Sequence, residues 1–146
     1  MIEKKQMQDN IFLDSNIILY CYSNDETDKQ AIARNIFEQY STPCISKQVI
    51  NEVSNILFRK FKLDCESIEN AILQISNLVE ILDFNLTTQI KAIRLKKSYN
   101  LQYFDALIVA TALENNCNTL YSEDMQNGLL VEGKLTIINP FEKLND

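Results

Sequence analysis

The sequence predicts an α/β fold: a central parallel sheet of about five short strands, covered by helices on both faces, within a single domain over residues 1–146. Three observations predict it. Short apolar runs alternate along the chain with longer stretches of helical periodicity, the pattern of strands buried on both faces between crossover helices. A length of 146 residues suits one domain and leaves no room for two large ones. Hydrophobic residues make up 46% and charged residues 23%, an ordinary globular composition with no break, repeat or linker.

Each element follows in order. Residues 1–10 are polar and expected to fray. Ile11-Phe12-Leu13 reads as a buried strand stopped by Asp14, and the apolar run Ile17 to Tyr22 as a short helix. Thr27 and Gln30 have capping-box spacing, opening a helix that places Ala33, Ile36, Phe37 and Tyr40 on one face and ends near Ser41. Pro43-Cys44-Ile45 starts a second strand, and Ser46 caps a helix to about Lys62 through Val49, Val53, Ile56 and Leu57. Asp64 caps the next helix, with Ile68, Ile72, Ile75 and Val79. Ile81-Leu82 is a third strand, and Thr87 or Thr88 opens a helix toward Tyr99. Phe104 to Glu114 is apolar nearly all round and reads as a central buried helix. Thr119-Leu120-Tyr121 and Leu135 to Ile138 complete the strands.

Absences narrow the chemistry. Gly128 and Gly133 are the two glycines, and neither a complete P-loop motif nor a Gly-x-Gly-x-x-Gly dinucleotide cradle can be written with them. With no histidine there is no Ser-His-Asp or Cys-His nucleophile and no imidazole base. An enzyme with this composition works with carboxylates, around a metal ion. Cys21, Cys44, Cys65 and Cys117 lack the paired spacing of a zinc site and read as small buried hydrophobes in a reducing compartment. Neither a signal-peptide pattern nor an apolar run long enough to span a bilayer is present, so a cytoplasmic protein without membrane association is expected.

Three acids sit in apolar surroundings. Asp14 is the sole charge between Asp9 and Asp25, Glu52 between Lys47 and Arg59, and Asp105 between Lys97 and Glu114. An ionised carboxylate buried alone costs several kcal/mol, so each needs a partner. Two explanations stand for each at this point. Asp14 and Asp105 are placed to be helix N-caps, and Glu52 to face solvent from the edge of its stripe. Alternatively, one ion satisfies all three, since Lys47 and Arg59 are the only basic residues near them in sequence. Asp14 and Asp124 follow expected strands, Glu52 lies in the first turns after another, and Asp105 opens the helix before the strand 119–121. In an open parallel sheet those positions meet beyond the strands' carboxyl ends. An all-carboxylate set suits Mg²⁺ or Mn²⁺.

The segments Phe12-Leu13-Asp14-Ser15-Asn16-Ile17-Ile18-Leu19-Tyr20, Asn51-Glu52-Val53, Tyr103 to Ala112 and Tyr121 to Gly128 resemble the PIN domain, and within it the VapC-like toxins of bacterial toxin–antitoxin pairs. The resemblance runs from about residue 11 to 141. It implies a small metal-dependent endoribonuclease whose acidic quartet is Asp14, Glu52, Asp105 and Asp124, using one or two Mg²⁺ or Mn²⁺ ions to activate a water for RNA cleavage. Asn16 and Ser122 fall where such proteins carry supporting polar groups. It also implies a homodimer and a small antitoxin partner that fills the groove. A formal charge of −6 sits awkwardly with an RNA substrate. The basic clusters Arg59, Lys60, Lys62 and Lys91, Arg94, Lys96, Lys97 offer a phosphate rim, a dock for an acidic partner segment, or solvated helix faces. Two rival functions are an inactive PIN-like nucleic-acid-binding module and an aspartate-based phosphotransfer domain.

Overall fold

The computed structural model describes residues 10–145. The expected frayed tail therefore lies outside the described residues except for Asn10, whose backbone carbonyl accepts a hydrogen bond from the Asn118 N–H at 3.0 Å. The strands are β1 (Ile11–Leu13), β2 (Cys44–Ser46), β3 (Glu80–Leu82), β4 (Thr119–Tyr121), β5 (Leu130–Val131) and β6 (Leu135–Ile138). The helices are α1 (Ser15–Cys21), α2 (Thr27–Gln39), α3 (Lys47–Arg59), α4 (Cys65–Ser76), α5 (Leu86–Tyr99) and α6 (Tyr103–Glu114). They build one sheet in the order β3-β2-β1-β4-β6-β5, parallel except at β5.

The α/β reading and its five parallel strands stand, and β5 is added. It pairs antiparallel with β6 through Val131↔Leu135 and Leu130↔Thr136. The turn between them holds Glu132 at φ 53° and Gly133 at φ 67°, a left-handed path that glycine adopts without penalty. An acid-glycine pair between apolar residues was the available signal for this hairpin.

Several helix starts differ from expectation. Ser46 and Asp64 cap as foreseen, accepting from the N–H groups of Val49 and Ser67 at 3.4 and 2.8 Å. Thr27 and Gln30 form no capping box: α2 begins at Thr27 itself, Glu26 makes no side-chain cap, and the Gln30 amide donates to the Cys21 carbonyl at 3.1 Å. Helix α5 is opened by Asn85 rather than by Thr87 or Thr88. Asn85 Oδ1 accepts from the Thr88 N–H while Thr88 Oγ1 accepts from the Asn85 N–H, both at 3.2 Å, a reciprocal box in which Thr88 takes the N3 position.

One hydrophobic cluster gathers β1, β2, β4, β6 and the inner faces of the helices. Every residue from Ala106 to Leu113 of α6 is buried, as its all-round apolar sequence requires. Buried Thr88 of α5 donates to Glu114 Oε2 at 2.7 Å, fastening the two helices where they pack.

Strand order runs outward from β1 in opposite directions, to β2 on one side and β4 on the other. This junction is the topological switch point, where helices leave the sheet and a crevice opens beyond the strands' carboxyl ends.

Candidate active site

Asp14 stands at that crevice. Its backbone N–H donates to the Tyr121 carbonyl at 3.0 Å, stitching the end of β1 to β4. Its carboxylate Oδ1 accepts the Ser15 N–H and its Oδ2 the Ser122 hydroxyl, each at 2.7 Å. The residue is 2% exposed. It is the N-cap of α1, so the cap reading was right for Asp14 without excluding a role at the site. Burial pushes its pKa up, opposed by the hydrogen bonds from Ser122 and Ser15, and the charge of Asp124 adds to the rise. Such a carboxyl, enclosed and with both oxygens engaged, is poorly placed to attack a phosphate in aspartyl-phosphate chemistry.

The loop after β4 supplies the next groups. Asn16, in the first turn of α1, donates from Nδ2 to Asp124 Oδ2 at 3.0 Å, and its Oδ1 accepts the Glu123 N–H at 3.2 Å. The Asp124 N–H donates to Ser122 Oγ at 3.2 Å. Asn16 and Ser122 thus brace Asp124 and Asp14 respectively.

Glu52, half-buried on α3, is pushed up to about 7 by burial and then by the charge of Asp14, with Asp105 contributing; hydrogen bonds from Ser15 and Gln48 act the other way. Asp105 lies in the first turn of α6, behind the N-cap Gln102, so the cap explanation fails for it. Burial, then Asp14 and Asp124, push it up to about 6. Asp14, Glu52 and Asp105 each feel the charge of at least one other acid of the four. Among the described residues the ion pairs are Lys29–Glu123, Lys47–Asp83 and Lys91–Glu132, and none neutralises this group. Uncompensated like charge of this kind marks functional sites.

The donor set is oxygen throughout, which suits a hard divalent cation. Among the described residues, however, no three His, Cys, Asp or Glu side chains stand close enough together to cage an ion. The carboxylates as they stand therefore do not meet the expectation that one ion touches all of them. An open set fits Mg²⁺, which keeps several waters and is commonly held through one or two carboxylates rather than a full protein cage.

The two basic clusters part company. Lys60 lines an open cleft of about 610 Å³ with Asn16, Tyr20, Phe61 and Asp124, while Arg59 and Lys62 are exposed beside it in sequence. Lys91 and Arg94 line a different cleft, of about 580 Å³, with Glu114 and Glu132, and Lys91 is paired to Glu132 at 3.4 Å.

Sequence reasoning missed Ser15, Gln48, Tyr20, Lys29 and Glu123. Ser15 and Glu123 adjoin site acids, which was a usable signal; Lys29 and Tyr20 reach the site only through folding.

Comparison with known proteins now bears on this geometry. A family model described as PIN domain matches residues 11–126. The chain belongs to the PIN domain family. No curated protein matches it by sequence. Among solved structures, a toxin-antitoxin complex from Klebsiella pneumoniae superposes with a TM-score of 0.68 at 19% identity, covering 90% of this chain and 97% of that one. Mycobacterium tuberculosis VapC20, a Sarcin-Ricin loop cleaving toxin, gives 0.65 at 14%, over 79% and 92%. VapBC2 from Rickettsia felis, bound to a DNA fragment from its promoter, gives 0.58 at 19%, over 78% and 87%. At these identities the likeness is one of fold: a PIN domain of the architecture found in VapC toxins.

Proposed function

We propose that this PIN domain is a metal-dependent endoribonuclease, hydrolysing RNA phosphodiester bonds, and the toxin of a toxin–antitoxin pair. What supports the reading is the electrostatic coupling of Asp14 with Glu52, Asp105 and Asp124, drawn from separate elements, with no ion pair among the described residues engaging any of them. Asp14, Asp105 and Asp124 would hold Mg²⁺ or Mn²⁺, as one or two ions, with Glu52 a further ligand, directly or through water. When bound, the cation supplies Lewis acidity and positive charge to phosphodiester hydrolysis. Ser122 and Asn16 orient the carboxylates. Lys60 meets substrate phosphate from the cleft it shares with Asp124, and Arg59 and Lys62 extend that rim.

The toxin assignment and an antitoxin partner draw support from the fold shared with the Klebsiella and Rickettsia proteins and from the resemblance of the acidic segments; a homodimer is proposed from that resemblance alone, and a cytoplasmic setting from the sequence. Among the described residues no helix is long and apolar enough to cross a membrane. Lys91 and Arg94, which line a different cleft from Asp124, are assigned to partner contact rather than to the scissile phosphate.

The test is cleavage of an RNA panel with Mg²⁺, with Mn²⁺ and with chelator. Metal-dependent cutting by the wild-type chain, lost in Asp105→Asn, is expected; wild-type cutting by a clean Asp105→Asn preparation overturns the assignment. A second reading, a PIN module that binds nucleic acid without turnover, draws on the open arrangement of the carboxylates. It requires RNA binding and no cleavage in the same assay.

A further inference from the structure

Glu123 is an acid the proposed chemistry does not use. It lies between Ser122 and Asp124, yet its carboxylate engages neither. Oε1 accepts the Tyr20 hydroxyl at 2.5 Å, and Oε2 pairs with Lys29 Nζ at 2.7 Å. Lys29 Nζ also donates to the Tyr20 hydroxyl at 3.2 Å, closing a triangle. The ammonium lies 4.9 Å from the Tyr20 ring centre and 5.8 Å from that of Phe141. Those two rings meet edge to face at 4.9 Å, and Phe141 is fully buried, so the triangle rests on a rigid floor.

The Lys29 and Glu123 side chains are 21% and 25% exposed, against 61% and 72% for the Lys47–Asp83 pair. A shielded, hydrogen-bonded ion pair holds geometry in a way that a solvated one does not. The main chain of Glu123 is tied as well, through its N–H to Asn16 Oδ1. The loop is thus gripped from both sides, and the residues it carries on either side of Glu123 are Ser122 and Asp124.

We infer that Tyr20, Lys29 and Glu123 form a positioning clamp, which fixes the backbone of residues 122–124 and so sets where Ser122 and Asp124 present their oxygens to a cation. The inference rests on the metal reading proposed above.

The full chain tests this by two readouts. In metal-free protein, Lys29→Met is expected to speed amide exchange over residues 119–128 by about tenfold or more, leaving α6 unchanged. In Mn²⁺ titrations of RNA cleavage it raises the metal midpoint by about 10–100-fold, with kcat at saturating Mn²⁺ within about threefold of wild type. Lys29→Arg keeps the charge and returns both readouts toward wild type. Tyr20→Phe, a milder change that deletes one hydroxyl, gives shifts of the same sign and smaller size, and serves if Lys29→Met does not fold. Unaltered exchange, or an unaltered metal midpoint, in the folded variants overturns the clamp. Absence of Mn²⁺ uptake by the wild-type chain in calorimetry overturns instead the metal reading beneath it.

Discussion

At the scale of single residues, the site gives Asp14, Asp124 and Glu52 polar groups that orient them, and the two kinds of residue fail differently when changed. Asp14→Asn or Asp105→Asn removes a charge the proposed cation would need and is expected to lower metal-dependent cleavage by about a hundredfold or more. The same substitutions relieve an unfavourable carboxylate, so the metal-free variants melt higher, by roughly 2–4 °C for each kcal/mol relieved. Scanning calorimetry in chelator checks the second half, and a lowered melting point contradicts it. Ser122→Ala leaves the carboxylates in place but frees Asp14 Oδ2 and the Asp124 N–H, both of which meet that hydroxyl. It should weaken Mn²⁺ binding about 10–100-fold.

Asp14, Glu52 and Asp105 were legible in the sequence because apolar neighbours made each a lone charge. Asp124 was legible by its place after a strand. Lys29 was not legible: it sits 94 residues from Glu123, on the polar side of an ordinary amphipathic helix, and nothing local sets it apart from a solvated lysine.

At the scale of elements, the fold rests on a few end signals and one central helix. Asn85→Ala removes the Oδ1 that accepts the Thr88 N–H while leaving the Asn85 N–H on Thr88 Oγ1, and should cost about 1 kcal/mol, read as a lower urea midpoint with unchanged slope. Ile108→Ala empties space in the middle of α6, where the side chain is fully buried, and should cost about 2–5 kcal/mol. The helices and the parallel strands were readable from periodicity because their apolar spacing is long or unmixed. Cap assignments held where the side chain had no competitor, at Ser46 and Asp64. They failed at Gln30, which bonds instead to the carbonyl of Cys21, and at Thr88, which is the third residue of its helix rather than its cap. Strand β5 is two residues long, too short for alternation to register, and its register comes from the turn at Glu132 and Gly133.

At the scale of the whole molecule, the acidic site couples stability to pH and, on the metal reading proposed above, to metal. The pKa values of Glu52 and Asp105 are raised above their ordinary 4.5 and 3.8, to about 7 and about 6. A raised carboxylate means the folded chain binds protons more tightly than the unfolded one. That contribution is fully present below about pH 4 and is lost as pH climbs through 6 and 7. The exposed Asp64 and Asp83, held low by Ser67 and Lys47, act in the opposite sense and only below the ordinary carboxylate range. Without metal, melting temperature should therefore fall between pH 5 and pH 8. With millimolar Mg²⁺ or Mn²⁺ it should fall less or rise, because the deprotonated form binds the ion and binding releases protons. Identical pH profiles with and without the ion would contradict this.

The same architecture also dictates an order of assembly. Asp14 and Ser122 are 108 residues apart, and the pairing of β1 with β4 closes that long loop, whereas β1 reaches β2 over a far shorter one. Loop closure grows costlier with length, so distant pairings slow folding. During refolding, the half containing β1, β2 and α3 can consolidate while the segment bearing Asp124 is still undocked. On the metal reading proposed above, cation capture is then expected last, as a kinetic phase slower than the recovery of helical signal.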